Sequence, residues 1–508
     1  MIETAGAGDR SLTLRGCVVW GHPGRDTVIL RRGRIYAIGR SEELDAGAEE
    51  TIDAGGGTVI AGFVDAHVHL MHTGLVESGW RVDLSGRSRD ETLAVVRDAA
   101  RARGPAEWVV AAGWDESRWQ EAQALTRLEL DAVAPRNPVV AVRVDGHVLA
   151  ANSLALSSTE ATAVAVRPGD VDRDSGRVRE EAAAALISAV RPDRAALGEA
   201  LRAAASLCHR MGITGVHTMC DDVDPDVLWA MASGLRLRAV IVAPIEVLEP
   251  LVAAGRKTGD GDEWVRWGGL KLFADGSIGA RNAAVEERFR DGGHGALFWD
   301  DASIAERLRA ADRAGWQTLV HAIGGRAIEQ VVRAHETVGT SRALRHRIEH
   351  FELPADGHIE RARRAGLCVC MQPNFVGNWS GAGGLYDRAL GPTADGRSNP
   401  FRQIADAGLP LGFGSDGMPV SPLYGLACAV RPPHDGQRLS LAEALSAYTA
   451  GGAYLAHEEA DAGGIDVGKR ADLVVLDSTA AGRDADVGRW VIDRTFVGGE
   501  CVYDRTVP

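Results

Sequence analysis

Much that would mark an oxidised, membrane-embedded or nucleic-acid-binding chain is missing here. Seven cysteines are scattered through 508 residues, at 17, 208, 220, 368, 370, 428 and 501. Their number is odd and no Cys-x-x-Cys pair occurs, which argues against a disulfide framework. Cys368 and Cys370 alternate along an apolar run and read as packing residues. No stretch of eighteen apolar residues is present, so no membrane span is expected. The start, Met1 to Arg15, has no basic segment followed by an apolar one and does not read as a secretory signal. No long Lys/Arg run occurs, and 70 Asp and Glu outweigh 56 Lys and Arg, for a formal charge of -14. That sign repels phosphate backbones, so a nucleic-acid partner is not expected. Repeats, heptads and low-complexity tracts are absent as well. The expectation is a cytoplasmic protein, with a homodimer favoured only because dimers are the commonest oligomers.

What the chain does have is ordinary globular composition, with 45% hydrophobic and 25% charged residues, and length enough for one large barrel with attachments. The first sixty residues read as short strands: Leu12 to Val19, Thr27 to Arg31, Arg34 to Ile38 and Thr58 to Ile60, punctuated by Gly55, Gly56 and Gly57. The far end has the same texture, with Asp472 to Asp477, Trp490 to Phe496 and Cys501 to Tyr503 as strands. Neither end carries enough apolar surface to fold alone, so the two are expected to pair. Between them, apolar runs at 63–69, 214–219, 237–243, 268–274, 317–322, 346–350, 367–372 and 411–416 alternate with helical stretches. Eight such units predict a closed (β/α)8 TIM-like barrel.

The interval between the first two strands is too long for a connection and predicts an inserted α/β subdomain, a candidate lid, with strands at Trp108 to Ala112 and Val139 to Val144. The expected division is therefore 1–60 and 461–508 for the two parts of a small β-sandwich, 61–75 and 200–460 for the barrel, and 76–199 for the insertion.

The residues that carry chemistry fall where barrel strands end. In Phe63-Val64-Asp65-Ala66-His67-Val68-His69, alternation along a strand puts His67 and His69 on one face, roughly 7 Å apart, able to grip a metal ion. Lys271 sits in the apolar fourth run, His321 ends the fifth, His350 ends the sixth, and Asp416 ends the eighth. Each alone has a bland explanation: a satisfied strand-end imidazole, a snorkelling lysine, a Ser-Asp turn. Their joint arrival at one end of a barrel is hard to produce by chance.

With these runs in place the sequence resembles the amidohydrolase superfamily, and more narrowly its YtcJ-like group, which includes N-substituted formamide deformylase. The likeness rests on Gly62 to His69, Gly113-Trp114-Asp115-Glu116-Ser117-Arg118-Trp119, Asp145-Gly146-His147, Asn152 to Leu156, Asp275 to Arg281 and Gly468 to Leu473. It spans nearly the whole chain. One departure is Gly325, where this group often carries Asp.

The resemblance implies that His67, His69 and Asp416 hold one metal, His321 and His350 a second, and that Lys271, carboxylated by carbon dioxide, bridges them. A free lysine, with a pKa near ~10.4, would arrive as a cation that repels metal ions. A carbamate is an anion with two oxygens, suited to ions about 3.5–4 Å apart. Zinc is the expected ion, with manganese, iron or cobalt as alternatives. The activity implied is hydrolysis of a C–N bond in an amide, N-formyl or cyclic amide, with Asp416 as general base and then acid.

Trp114, Asp115, His147 and Asn152 are candidates to line a pocket over the barrel mouth, and Arg281 to grip a carboxylate or carbonyl. His217, at the end of the second strand, matches no ligand position. A heterocycle deaminase is a weaker alternative. Deaminases of this superfamily tend to carry Glu three residues after the strand-five His, where Gly324 stands, and usually lack the bridging lysine. A lactonase or esterase would need the same metals. A non-enzymatic scaffold would be expected to have lost ligands, and here all six positions are filled.

Overall fold

The computed structural model describes residues 11–44, 49–158, 170–190, 192–220, 223–478 and 486–507. Most of the stretch read for a secretory signal (1–10) and part of the predicted insertion (159–169) lie outside the described residues.

Eight parallel strands form the central sheet: Phe63–Val68, Ile213–Met219, Arg238–Pro244, Val265–Phe273, Gln317–Ala322, Arg347–His350, Cys368–Met371 and Leu411–Phe413. They are ordered around the sheet as in the chain, so every connection is a crossover to the next strand. The result is a nearly closed (β/α)8 barrel. Apolar residues on the outward strand faces, among them Ile213, Ile241, Leu270, Val320, Ile348 and Val369, pack on helix residues such as Leu201, Leu308, Ile328 and Val331. Burial of each large side chain contributes about 1.5–3 kcal/mol, which fastens the helices to the sheet.

The eighth strand stops at Phe413, three residues short of the predicted end. Gly414 runs so close to the first strand that a Cβ there would lie 2.4 Å from the His67 nitrogen. Beyond it, Asp416 takes a left-handed φ of 54°, and its N–H donates to the His67 carbonyl at 2.7 Å. This contact bridges the seam between the first and last strands.

The two chain ends build a β-sandwich. One sheet is N-terminal throughout, ordered Arg34–Gly39, Thr27–Arg31, Ser11–Arg15 and Glu50–Asp53. The other sets Val18–Val19 and Thr58–Ala61 beside Leu473–Leu476, Ile492–Val497 and Glu500–Asp504, with Thr58–Ala61 antiparallel to Leu473–Leu476. Leu14, Val28, Leu30, Val59, Leu473, Val475 and Phe496 share the core between them. The single strand expected over Leu12 to Val19 is broken at Gly16, which has φ 65° and lies against Asp53. Its two halves serve different sheets.

Between the first two barrel strands lies a separate six-stranded sheet, ordered Val171–Asp172, Arg177–Arg179, Val148–Ala151, Val139–Arg143, Val109–Trp114 and Val82–Asp83. The two longest strands are those legible as apolar runs; the rest are too short or too polar to signal. Among the described residues no helix is long and apolar enough to cross a membrane.

Candidate metal centre

Each strand end delivers its side chain by a different local device. His67 and His69 follow from alternation at the end of the first strand. His350 does not. Arg347 and Glu349 share one face of the sixth strand, so alternation would send His350 to the other. Instead His350 has φ 72° and Phe351 has φ 49°, and this left-handed turn swings the imidazole into the barrel mouth. Non-glycine residues pay for such backbone geometry, and it persists where surroundings enforce it. Asp416 is presented by the same kind of turn.

The outcome is convergence. His67, His69 and Asp416 offer ligand atoms all within 4.8 Å of one another. Asp416 Oδ1 is 3.0 Å from His69 Nε2 and 3.7 Å from His67 Nε2. Lys271 Nζ lies 3.3 Å from His67 Nε2. The His350 ring is 5.0 Å from that of His67 and 4.5 Å from that of His321, centroid to centroid. All six residues line one cavity of about 1220 Å³.

Ionisation in this cluster suits metal ligation. Burial, reinforced by the Lys271 charge, drives the imidazoles of His67, His321 and His350 well below their ordinary pKa, leaving them neutral. Neutral imidazole is the ligating form. Burial alone would raise the Asp416 carboxyl, but the bond from His69 and the surrounding imidazoles and Lys271 outweigh it and hold it down at about 2. Each buried imidazole also has one nitrogen engaged behind it. His67 Nδ1 faces Glu349 at 2.5 Å, His350 Nδ1 faces Gln372 Oε1 at 2.8 Å, and His321 Nε2 faces the Gly276 carbonyl at 3.1 Å. The opposite nitrogens are left for the cavity. Neutral nitrogens, one ionised carboxylate and a lysine in a shared pocket are a donor set that could hold divalent ions.

A second grouping, His67 with Glu349 and Cys370, is also close enough to hold an ion. The Arg347 guanidinium occupies both oxygens of Glu349, at 2.9 and 2.8 Å, and burial pushes the Cys370 thiol well above its usual range. A permanent cation and a protonated thiol make that grouping a poor cation site.

Of the five residues proposed for substrate contact, His147 alone lines the cavity. Its ring is 6.1 Å from that of His321, and its Nδ1 is 3.1 Å from Glu180. Burial by itself would lower this imidazole, but the Glu180 bond and the charges of Asp145, Glu180 and Asp275 raise it. The other four are placed elsewhere. Trp114 stacks on Trp119 and donates to the Ala141 carbonyl at 2.9 Å. Asp115 caps a short helical turn through Ser117 N and faces Arg143 at 3.6 Å. Asn152, fully buried, accepts from Val139 N and Ala155 N and donates to the Asn137 carbonyl, tying two strands to a helix start. Arg281 pairs with Asp291 at 2.9 Å on the rim. His217 lies beneath the cavity, bonded to Arg347 at 2.9 Å.

Several cavity residues went unread in the sequence. Asp145, two residues before His147, holds Arg143 at 2.7 Å and accepts from the Ser277 hydroxyl at 3.0 Å. Phe375 lies parallel to the His350 ring at 5.9 Å, and Trp379 and Tyr386 continue that wall. Glu349 and Arg347 did carry a signal, since two opposite charges at alternate positions of a predicted barrel strand lie on one face and can pair.

Known proteins agree with this architecture. The profile of the Amidohydrolase family matches residues 50–503. The chain belongs to the amidohydrolase family. This amidohydrolase is 29% identical to the putative amidohydrolase YtcJ of Bacillus subtilis, over 95% of this chain and 96% of that one. It is 26% identical to an N-substituted formamide deformylase of Arthrobacter pascens, over 94% and 95%. Among solved structures, an uncharacterized metal-dependent hydrolase from Pyrococcus furiosus superposes with a TM-score of 0.73 at 26% identity, covering 92% of this chain and 99% of the other.

Proposed function

We propose that this amidohydrolase is a metal-dependent hydrolase of a C–N bond in an amide, N-formyl or cyclic amide small molecule. The observation that carries the reading is the meeting of His67, His69 and Asp416 within 4.8 Å, with Lys271, His321 and His350 beside them in one cavity. Its likeness to a formamide deformylase supports the bond type. His67, His69 and Asp416 would hold one zinc ion, His321 and His350 a second, and Lys271 as its carbamate would join the two.

When bound, such ions lower the pKa of water from about 15.7 towards 7 and polarise the scissile carbonyl. The side chains do the rest. Asp416 takes a proton from the attacking water and delivers it to the departing nitrogen; the C–N bond breaks, and amide and water become carboxylic acid and amine, which leave as carboxylate and ammonium at neutral pH. Glu349, Gln372 and the Gly276 carbonyl keep the imidazoles turned inward. His147, held by Glu180 and facing the cavity, is placed to hydrogen-bond the substrate. Position 324, where related deaminases carry Glu, has no room for a side chain: a Cβ there would lie 2.2 Å from the Ala284 carbonyl oxygen.

The test is elemental analysis of protein purified without chelator, paired with a hydrolysis screen over N-formyl, N-acyl and cyclic amides. About two transition-metal ions per chain are expected, and the Lys271→Ala variant should lose metal and turnover together. Wild-type protein that stays metal-free after reconstitution would overturn the reading.

A further inference from the structure

The three fully buried imidazoles of the site are not backed alike. His350 and His321 lean on neutral oxygens, the Gln372 amide and the Gly276 carbonyl. His67 leans on a carboxylate, Glu349, in an environment where Glu349, Arg347, His217 and His67 are all essentially inaccessible to solvent. The carboxylate is held from below. Arg347 donates through Nε to Oε1 at 2.9 Å and through Nη2 to Oε2 at 2.8 Å. Its remaining donors reach the Ala66 carbonyl at 2.7 Å and His217 Nδ1 at 2.9 Å. With both carboxylate oxygens taking N–H bonds from Arg347, Glu349 presents an acceptor to His67 Nδ1, so the ring donates through Nδ1 and turns Nε2 towards Asp416 and His69. An anionic partner also makes the imidazole a better donor than a neutral one does.

We propose that Glu349, clamped by Arg347, is the positioning residue of His67, and that it makes the His67–His69–Asp416 end of the site the tighter of two divalent-ion positions. This rests on the two-metal reading above. Ions are taken up in order: first at the end backed by the carboxylate, then at the end formed by His321 and His350.

Zinc titration of chelator-stripped protein, in competition with a chromophoric chelator, reads this directly. The wild type should show two steps at least ~10-fold apart, and Glu349→Gln should weaken the tighter step by roughly 10–100-fold while leaving the weaker one in place. Because Glu349→Gln leaves Arg347 as an unpaired buried cation, the pair Glu349→Gln with Arg347→Met, which removes both charges, repeats the measurement in a neutral background. Gln372→Met should shift the weaker step instead. Two equal wild-type affinities, or a Glu349→Gln shift confined to the weaker step, would overturn the assignment while leaving the metal-dependent reading intact. A wild type that takes up no zinc would sink that reading as well.

Discussion

Two sheets meet over the cavity, and they spend their polar residues differently. The barrel sends His67, His69, Lys271, His321, His350 and Asp416 to one mouth and leaves their functional atoms facing space. The inserted sheet turns part of its polar set inward, with Trp114, Asp115 and Asn152 holding strands and turns together, while Asp83, Ser85, Asp145, His147 and Glu180 line the cavity. The difference separates two tasks. On the proposed function, the barrel would supply chemistry from strand ends whose position is set by a shared core, and the insertion a wall that shapes the entrance.

Three substitutions sharpen this division, in falling order of their effect on turnover. Asp416→Asn should cut kcat by about a thousandfold, the usual worth of a positioned acid–base group. Folding should survive, because the seam contact of Asp416 with His67 uses its backbone N–H; near-normal activity with an unchanged circular dichroism spectrum would remove it from the proton path. His147→Ala should keep the wild-type metal content and lower kcat/KM by about tenfold, the worth of one hydrogen bond to substrate. Loss of metal in that variant would mean that the insertion belongs to the metal site. Asn152→Ala should leave kcat alone and cost about 2 kcal/mol of stability, since it removes a helix cap and strands buried backbone groups. Thermal unfolding checks this, and an unmoved melting temperature with reduced activity would return Asn152 to the cavity.

The same division explains what the sequence could tell. Donors on the barrel are legible because each lies in or at the end of a strand-like run, and the order of the runs fixes their common end. Asn152 is a pocket candidate in the sequence, but an Asn directly before Ser-Leu-Ala-Leu also marks a helix start, and that is where the structure places it. Trp114 and Asp115 drew attention through a resemblance, and in the structure they hold a strand and a turn. The aiming of His350 and Asp416 was illegible for another reason. Both adopt left-handed backbone geometry, at φ 72° and 54°, which non-glycine residues take too rarely for a His or an Asp to announce it. Glu349 was visible in Arg347-Ile348-Glu349-His350, but its role depends on a partner 282 residues away.

The seam between the first and last strands has a mechanical meaning. A barrel is a hoop, and this hoop is joined where residues 63–68 meet residues 411–413, the pair of staves most distant in the chain. His67 and His69 stand on one side of the join and Asp416 on the other, with Gly414 letting the two edges touch. An ion gripped by these three would be a clasp as well as a reagent, so that arming the enzyme and fastening the hoop would be a single event.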